Sequence, residues 1–172
     1  MKIEILQEAG YEHALLGISL SYNTDMDRMP KVAKKLAGKG GGHNKFLESI
    51  VVWLDIIAPR YWWLQFDTYR IGVTKQSEST MHTILKNKLT DYHFAYPMPE
   101  ETLARLNELI EKNEFDQLKA ELPEGFLQRR IVCTNYQTIF RMVRQRKTHK
   151  LKEWQAFCLA MEELQHWDLY KG

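Results

Sequence analysis

Three segments of this chain combine residue types at spacings that could do chemistry. The first runs Pro59-Arg60-Tyr61-Trp62-Trp63-Leu64-Gln65-Phe66-Asp67-Thr68-Tyr69-Arg70 and leads into Gln76, Ser77, Ser79 and Thr80. Read as a helix, it places Trp62, Phe66 and Tyr69 on one face and Arg60, Leu64 and Asp67 on the opposite one. Flat aromatic walls beside a cation, carboxamides and hydroxyls suit a planar ligand carrying carbonyls or a phosphate. The same stripe also suits an ordinary core helix. The second segment, residues 135–146 (NYQTIFRMVRQR), brings Asn135, Ile139, Met142 and Arg146 onto one helical stripe. Arg146 could offer a two-pronged fork to an anion. Alternatively, Asn135 caps the helix and Arg146 is a solvated end charge. The third, His43-Asn44-Lys45-Phe46-Leu47-Glu48-Ser49, sets an imidazole and a carboxylate at a loop-to-strand junction.

These side chains need elements to position them. Alternation of Ile3 and Ile5 with polar residues predicts a short strand over 1–7, and helical patterns follow over 12–20 and 30–37. Gly38 to Gly42 is a hard break; it lacks GxxxxGK[ST] and follows a helix, so it is no Walker loop. Residues 49–57 (SIVVWLDII) predict a buried strand, and 59–69 the aromatic helix. Residues 71–79 read as a loop, 81–88 as helix and 92–99 as irregular. Amphipathic helices are expected over 99–113, 115–122, 135–146 and 151–164. With no repeat and no linker, the reading is one α+β domain over 1–172.

Composition narrows the classes. A chain of 172 residues with 44% hydrophobic and 27% charged residues can bury a core and is not disordered. Lys and Arg total 24 against 22 Asp and Glu, too balanced for a polycationic coat on nucleic acid. Residues 129–152 are nevertheless basic and free of acids, which keeps a nucleic-acid or partner-binding module as an alternative. Cys133 and Cys158 make neither a disulfide framework nor a zinc site, and no other metal motif occurs; both read as buried thiols of a reduced compartment. Early acids and no long apolar stretch argue against a secretion signal or membrane span, so the expectation is a cytoplasmic protein. Five Trp, eight Tyr and seven Phe are many for this length, and their densest run is Tyr61 to Tyr69.

In this order, the three segments resemble the flavin-dependent thymidylate synthases. That family has an early G-H-x-S-P-x-E-H stretch, then S-R-A-x-x-x-Q-x-x-R-H-R-x-x-S-x-N-x-x-S-x-R-Y, then N-L-R-S-L-x-x-F-x-x-L-R. Gly42, His43 and Glu48 match the first; Arg60, Gln65 and Arg70 keep the spacing of the second; Asn135 and Arg146 keep that of the third. The resemblance implies an α+β fold with a small central antiparallel sheet packed by several helices. It implies FAD as cofactor, NADPH and methylenetetrahydrofolate as co-substrates, and conversion of dUMP to dTMP in a homotetramer with shared sites. His43, Glu48, Arg70 and Asn135 would then contact the flavin nucleotide. Gln65, Gln76, Ser77 or Ser79, and Arg146 would hold the pyrimidine nucleotide, with Arg70 and Ser79 closest to the reaction. The chain also departs from these patterns: R-H-R reads Thr68-Tyr69-Arg70, so Tyr69 would stack rather than supply an imidazole. The following Ser and Asn read Val73 and Lys75, the later Ser falls on Glu78 unless the loop shifts by one, and an Arg of the last helix reads Gln137. A non-catalytic nucleotide-binding relative is therefore the alternative within the same family.

Overall fold

The computed structural model describes residues 1–23 and 25–171. Its frame is an antiparallel sheet built from β1 (Lys2–Ala9), β2 (Val51–Pro59), β3 (Thr74–Ser77) and β4 (Leu127–Asn135), in the order β1-β2-β4-β3. Helices α1 (Tyr11–Tyr22), α2 (Met29–Ala37), α3 (Arg60–Phe66), α4 (Thr80–Thr83), α5 (Glu100–Glu111), α6 (Phe115–Glu121), α7 (Tyr136–Arg146) and α8 (Lys152–Met161) complete it. The α+β expectation with a small antiparallel sheet is met.

Strand alternation decides what each sheet face does. Val52, Leu54, Ile56 and Ala58 of β2 point to the core and are fully buried. Between them Val51, Trp53, Asp55 and Ile57 project to the other face, beside Arg129, Ile131 and Cys133 of β4, and none of these is fully buried. The covered face packs on the aromatic helix. Trp62 lies 4.9 Å from Trp154, 5.0 Å from Phe66 and 4.9 Å from Trp63, ring centre to ring centre. Such pairs add about 0.5–1.5 kcal/mol each beyond the area they bury. Much of the aromatic excess is therefore core. A second cluster, around Leu106, Leu109, Leu118, Leu122 and Phe126, joins α5 and α6 to the segment that follows α4.

Several sequence expectations need correction. Residues 71–79 are not all loop, because Thr74–Ser77 forms the edge strand β3 on β4. A polar, lysine-bearing sequence is what an exposed edge carries, and it hides the strand. β4 itself had no strand signal, since Arg129 and Arg130 interrupt its apolar run. Arg129 is satisfied on the open face by a two-pronged contact to Asp55, with Nη2 at 2.5 Å. Arg130 turns to the covered face, where it binds Asp67 at 3.0 Å and lies 4.4 Å over the Trp63 ring. Helix over 81–88 shrinks to the single turn of α4, and the aromatic helix ends at Phe66, short of Tyr69. Cys158 is buried as expected, but Cys133 is only half-buried.

Candidate functional site

Three of the singled-out residues, Glu48, Arg70 and Asn135, come together at the junction of β4 with α7. Asn135 ends β4 and caps α7, its Oδ1 accepting the backbone N–H of Thr138 at 2.9 Å. The capping reading of Asn135 is thus correct, and its carboxamide N–H₂ still has no acceptor among the described residues. Antiparallel pairing sets Asn135 opposite Val51, and the short turn before β2 (Lys45–Ser49) brings in Glu48. The chain leaving α3 then carries Arg70 and Gly72 to the same place. Gly72 has φ +71°, and a Cβ there would lie 2.6 Å from Thr138 Oγ1 and 2.8 Å from Asn135 Nδ2. Only glycine lets this loop lie so close to the helix start. Two hydrogen bonds hold it: Thr134 Oγ1 donates to Gly72 O at 2.8 Å and Thr138 Oγ1 to Ile71 O at 3.2 Å.

The result is a cavity of about 410 Å³ lined by Glu48, Arg70, Gly72, Cys133 and Asn135. Arg70 is exposed, with no hydrogen bond or ion pair among the described residues, so its charge is available to a ligand. Glu48 also lines a neighbouring cavity of about 760 Å³, where it is joined by His43, Lys45 and His13 of α1. Glu48 thus borders both cavities, with Arg70 and Asn135 in one and His43 in the other, although residues 48, 70 and 135 are far apart in sequence. In the first turn of α7, Gln137 keeps a buried amide oxygen with no partner among the described residues.

Gln65 and Arg146 form a second group, joined through Trp154. The Trp154 indole N–H donates to Gln65 Oε1 at 2.8 Å, and the Arg146 guanidinium lies 4.8 Å over the indole. Arg146 is no free end charge: its Nε–H donates to Tyr69 Oη at 2.8 Å. Tyr69 is buried here, which corrects the expectation that its ring would stack on a ligand. Thr68 is exposed, and its hydroxyl donates to the Gln65 carbonyl at 2.7 Å.

Gln76 and Ser77 make up a third group, at the β3 edge of the sheet, lining a groove of about 540 Å³ with Glu78, Arg129 and Ile131. Ser79 is exposed at the start of α4, outside that groove. Sequence reasoning missed Lys119, whose Nζ donates to Thr80 Oγ1 at 2.6 Å beside this loop. Burial pushes the Lys119 ammonium pKa down, and the nearby Arg60 charge lowers it further. Nothing in the sequence flags it, because it sits in an ordinary helical pattern. Lys75, at the family's Asn place, is bound to Asp67 at 2.6 Å and closes the core wall instead. The basic stretch 129–152 does not make one cationic face: Arg129 and Arg130 are paired on opposite sides of the sheet.

No family model and no curated protein matches the sequence. Solved structures do match, over nearly the whole chain. Thymidylate Synthase X from Helicobacter pylori, solved with FAD and dUMP, superposes with a TM-score of 0.84 at 16% identity, covering 99% of this chain and 98% of that one. A second structure of the flavin-dependent thymidylate synthase from Helicobacter pylori, complexed with FAD and dUMP, gives 0.83 at 18% identity and the same coverage. This chain has the flavin-dependent thymidylate synthase fold. In that fold, the run Thr68-Tyr69-Arg70 delivers one of its three side chains, Arg70, to the β4–α7 cavity.

Proposed function

We propose that this protein is a divergent flavin-dependent thymidylate synthase that converts dUMP to dTMP with methylenetetrahydrofolate and NADPH. The observation that carries the reading is the convergence of Glu48, Arg70 and Asn135 on one cavity in a fold that holds FAD and dUMP in the Helicobacter protein. The donor set fits a flavin nucleotide. Arg70 supplies an unpaired cation, Asn135 an unused amide N–H₂ beside a glycine-opened loop, and His43 and Lys45 line the adjoining cavity. Bound there, FAD would carry the hydride, as cofactors carry such chemistry generally. The protein's own share is binding and orientation. Arg70 neutralises negative charge at the cavity mouth, Asn135 donates to a carbonyl or phosphate oxygen, and Glu48 accepts hydroxyl or amide protons. Gln65 and Arg146, with Gln76, Ser77 and Ser79, would hold the pyrimidine nucleotide, with Ser79 nearest the reacting ring. These groups lie apart within one chain. The reading therefore includes a homotetramer whose open sheet faces bring the groups of different subunits together.

A second reading has its own support. With Thr68 exposed and Tyr69 buried, the triplet presents only Arg70 to the cavity, which suits nucleotide binding without turnover. The visible spectrum of the purified protein, before and after addition of FAD, tests the flavin assignment: a flavin absorbance band is expected. A colourless protein that takes up no FAD would overturn it. dUMP-dependent oxidation of NADPH then separates the enzyme from the non-catalytic relative, which would bind dUMP calorimetrically with no turnover.

A further inference from the structure

A β-bulge aims Glu8 at the start of α7. Ile5 pairs with Leu54, but the register then shifts, so that Gln7 faces Trp53 and Glu8 faces Val52. Strict alternation from Ile5 would turn Glu8 to the open face. The shift at Leu6 turns it to the covered one instead, and Leu6 is left 47% exposed. There one carboxylate oxygen accepts the hydroxyl of Tyr136, the first residue of α7, and the other accepts the Gln165 N–H at 2.9 Å. The next N–H of the chain, that of His166, donates to Tyr136 Oη at 3.0 Å. The His166 ring stacks on that of Tyr11, which opens α1, with 3.4 Å between centres. Tyr136 is fully buried; burial and then the Glu8 carboxylate push its pKa up, so the hydroxyl remains a donor. This knot borders a cavity of about 400 Å³ with Glu12 and His13, separate from the cavity of Arg70.

Tyr136 is also held at its backbone, where its N–H donates to Ile50 O at 3.1 Å. Ile50 follows the turn that carries Glu48, and Asn135 immediately precedes Tyr136. The Glu48 and Asn135 walls of the Arg70 cavity are therefore tied together at one residue, whose side chain ends on Glu8 and on the chain after α8. We propose that Glu8 and Tyr136 are positioning residues: their knot with Gln165 and His166 sets the spacing of Glu48 and Asn135, and through it the affinity of the cavity for FAD. The inference rests on the flavin-binding reading above and gives the chain after α8 a part in a site it does not line.

Tyr136→Phe keeps the ring and removes the hydroxyl; Glu8→Gln replaces one of two acceptor oxygens by an amide nitrogen that can only donate. The test is FAD titration of the wild-type protein, both variants and the double variant, with amide exchange of the ligand-free proteins. Each single variant should bind FAD about fivefold more weakly, the scale of coupling through residues that do not touch the ligand. The double variant should bind no more weakly than Tyr136→Phe alone, because both act through one contact. The Thr138 amide, bonded to Asn135 Oδ1, should exchange faster in both variants. Leu118→Ala, in the satellite cluster, is the structural comparison: it lowers stability and should leave FAD affinity unchanged. Glu8→Gln, at a half-buried site, decides alone if Tyr136→Phe folds poorly. Unchanged FAD affinity or unchanged Thr138 exchange in the variants overturns the proposal. So do additive losses, or an equal loss in Leu118→Ala. A wild-type protein that binds no FAD overturns the flavin reading and this inference together, whereas one that binds FAD with the variants unaffected overturns the Glu8–Tyr136 role alone.

Discussion

At Arg70 and Asn135 two neighbouring side chains of one cavity answer differently to truncation. Arg70 is exposed and makes no contact that holds the fold, so Arg70→Ala should leave the melting temperature unchanged. FAD affinity should fall by about tenfold or more, the magnitude of a lost charge-assisted contact. Fluorescence titration with FAD checks this, and unaltered affinity would remove Arg70 from the flavin site. Asn135→Ala should lower both quantities. The cap to Thr138 is worth about 1 kcal/mol, and the same carboxamide faces the cavity. Thermal melts beside the titration separate the two effects. The sequence alone had left cap and ligand contact as alternatives for Asn135; the geometry allows both, because the cap occupies the oxygen and leaves the amide N–H₂.

Among the elements, the loop after α3 depends on Gly72. Gly72→Ala combines a left-handed backbone with a Cβ 2.6 Å from Thr138 Oγ1, so about 1–3 kcal/mol of destabilisation is expected. Chemical denaturation reads that loss directly, and a variant as stable as wild type would contradict the packing described. Asp67 ties α3 to the β3–β4 edge through Lys75 and Arg130. Burial pushes its carboxyl up, but hydrogen bonds from Lys75 and Arg130 outweigh this and hold it below the ordinary aspartate range. Its contribution to stability is therefore full above the unfolded-state pKa of about 3.9 and lost as pH falls through the lower folded value. Melting curves taken from pH 6 downwards (a span of roughly four units brackets both forms) should show this acid limb, and Asp67→Asn should flatten it. An unchanged limb would assign the acid sensitivity to other carboxylates.

For the molecule as a whole, the open sheet face is the surface on which assembly would depend. Trp53 is 37% exposed at its centre, beside the Asp55–Arg129 pair. If subunits meet there, Trp53→Glu should shift the sedimentation coefficient to a smaller species and weaken nucleotide binding with it. A wild-type monomer, or a variant that sediments as wild type does, would place the contact elsewhere. The satellite cluster behaves independently of that face: Leu118→Ala, at a fully buried site, should cost about 2–5 kcal/mol while leaving assembly intact.

The sequence by itself determined the elements whose signal is local. The 3.6-residue periodicity of α5 and α7 and the β-branched run of β2 were legible because one face of each is apolar throughout. Spacing also made the family resemblance readable, through His43, Glu48, Gln65, Arg70, Asn135 and Arg146. What the tertiary structure decided lay in pairings that no window of sequence contains. β4 is a strand because Asp55 and Asp67, from β2 and from the end of α3, satisfy its two arginines on opposite faces. The aromatic run from Tyr61 to Tyr69 is core because Trp154 and Phe157 of α8 close over it. Tyr69 reaches Arg146 rather than a ligand because the helix ends at Phe66 and turns its ring inward. Local propensity acts within a few residues, whereas burial and charge pairing are settled only when distant segments meet.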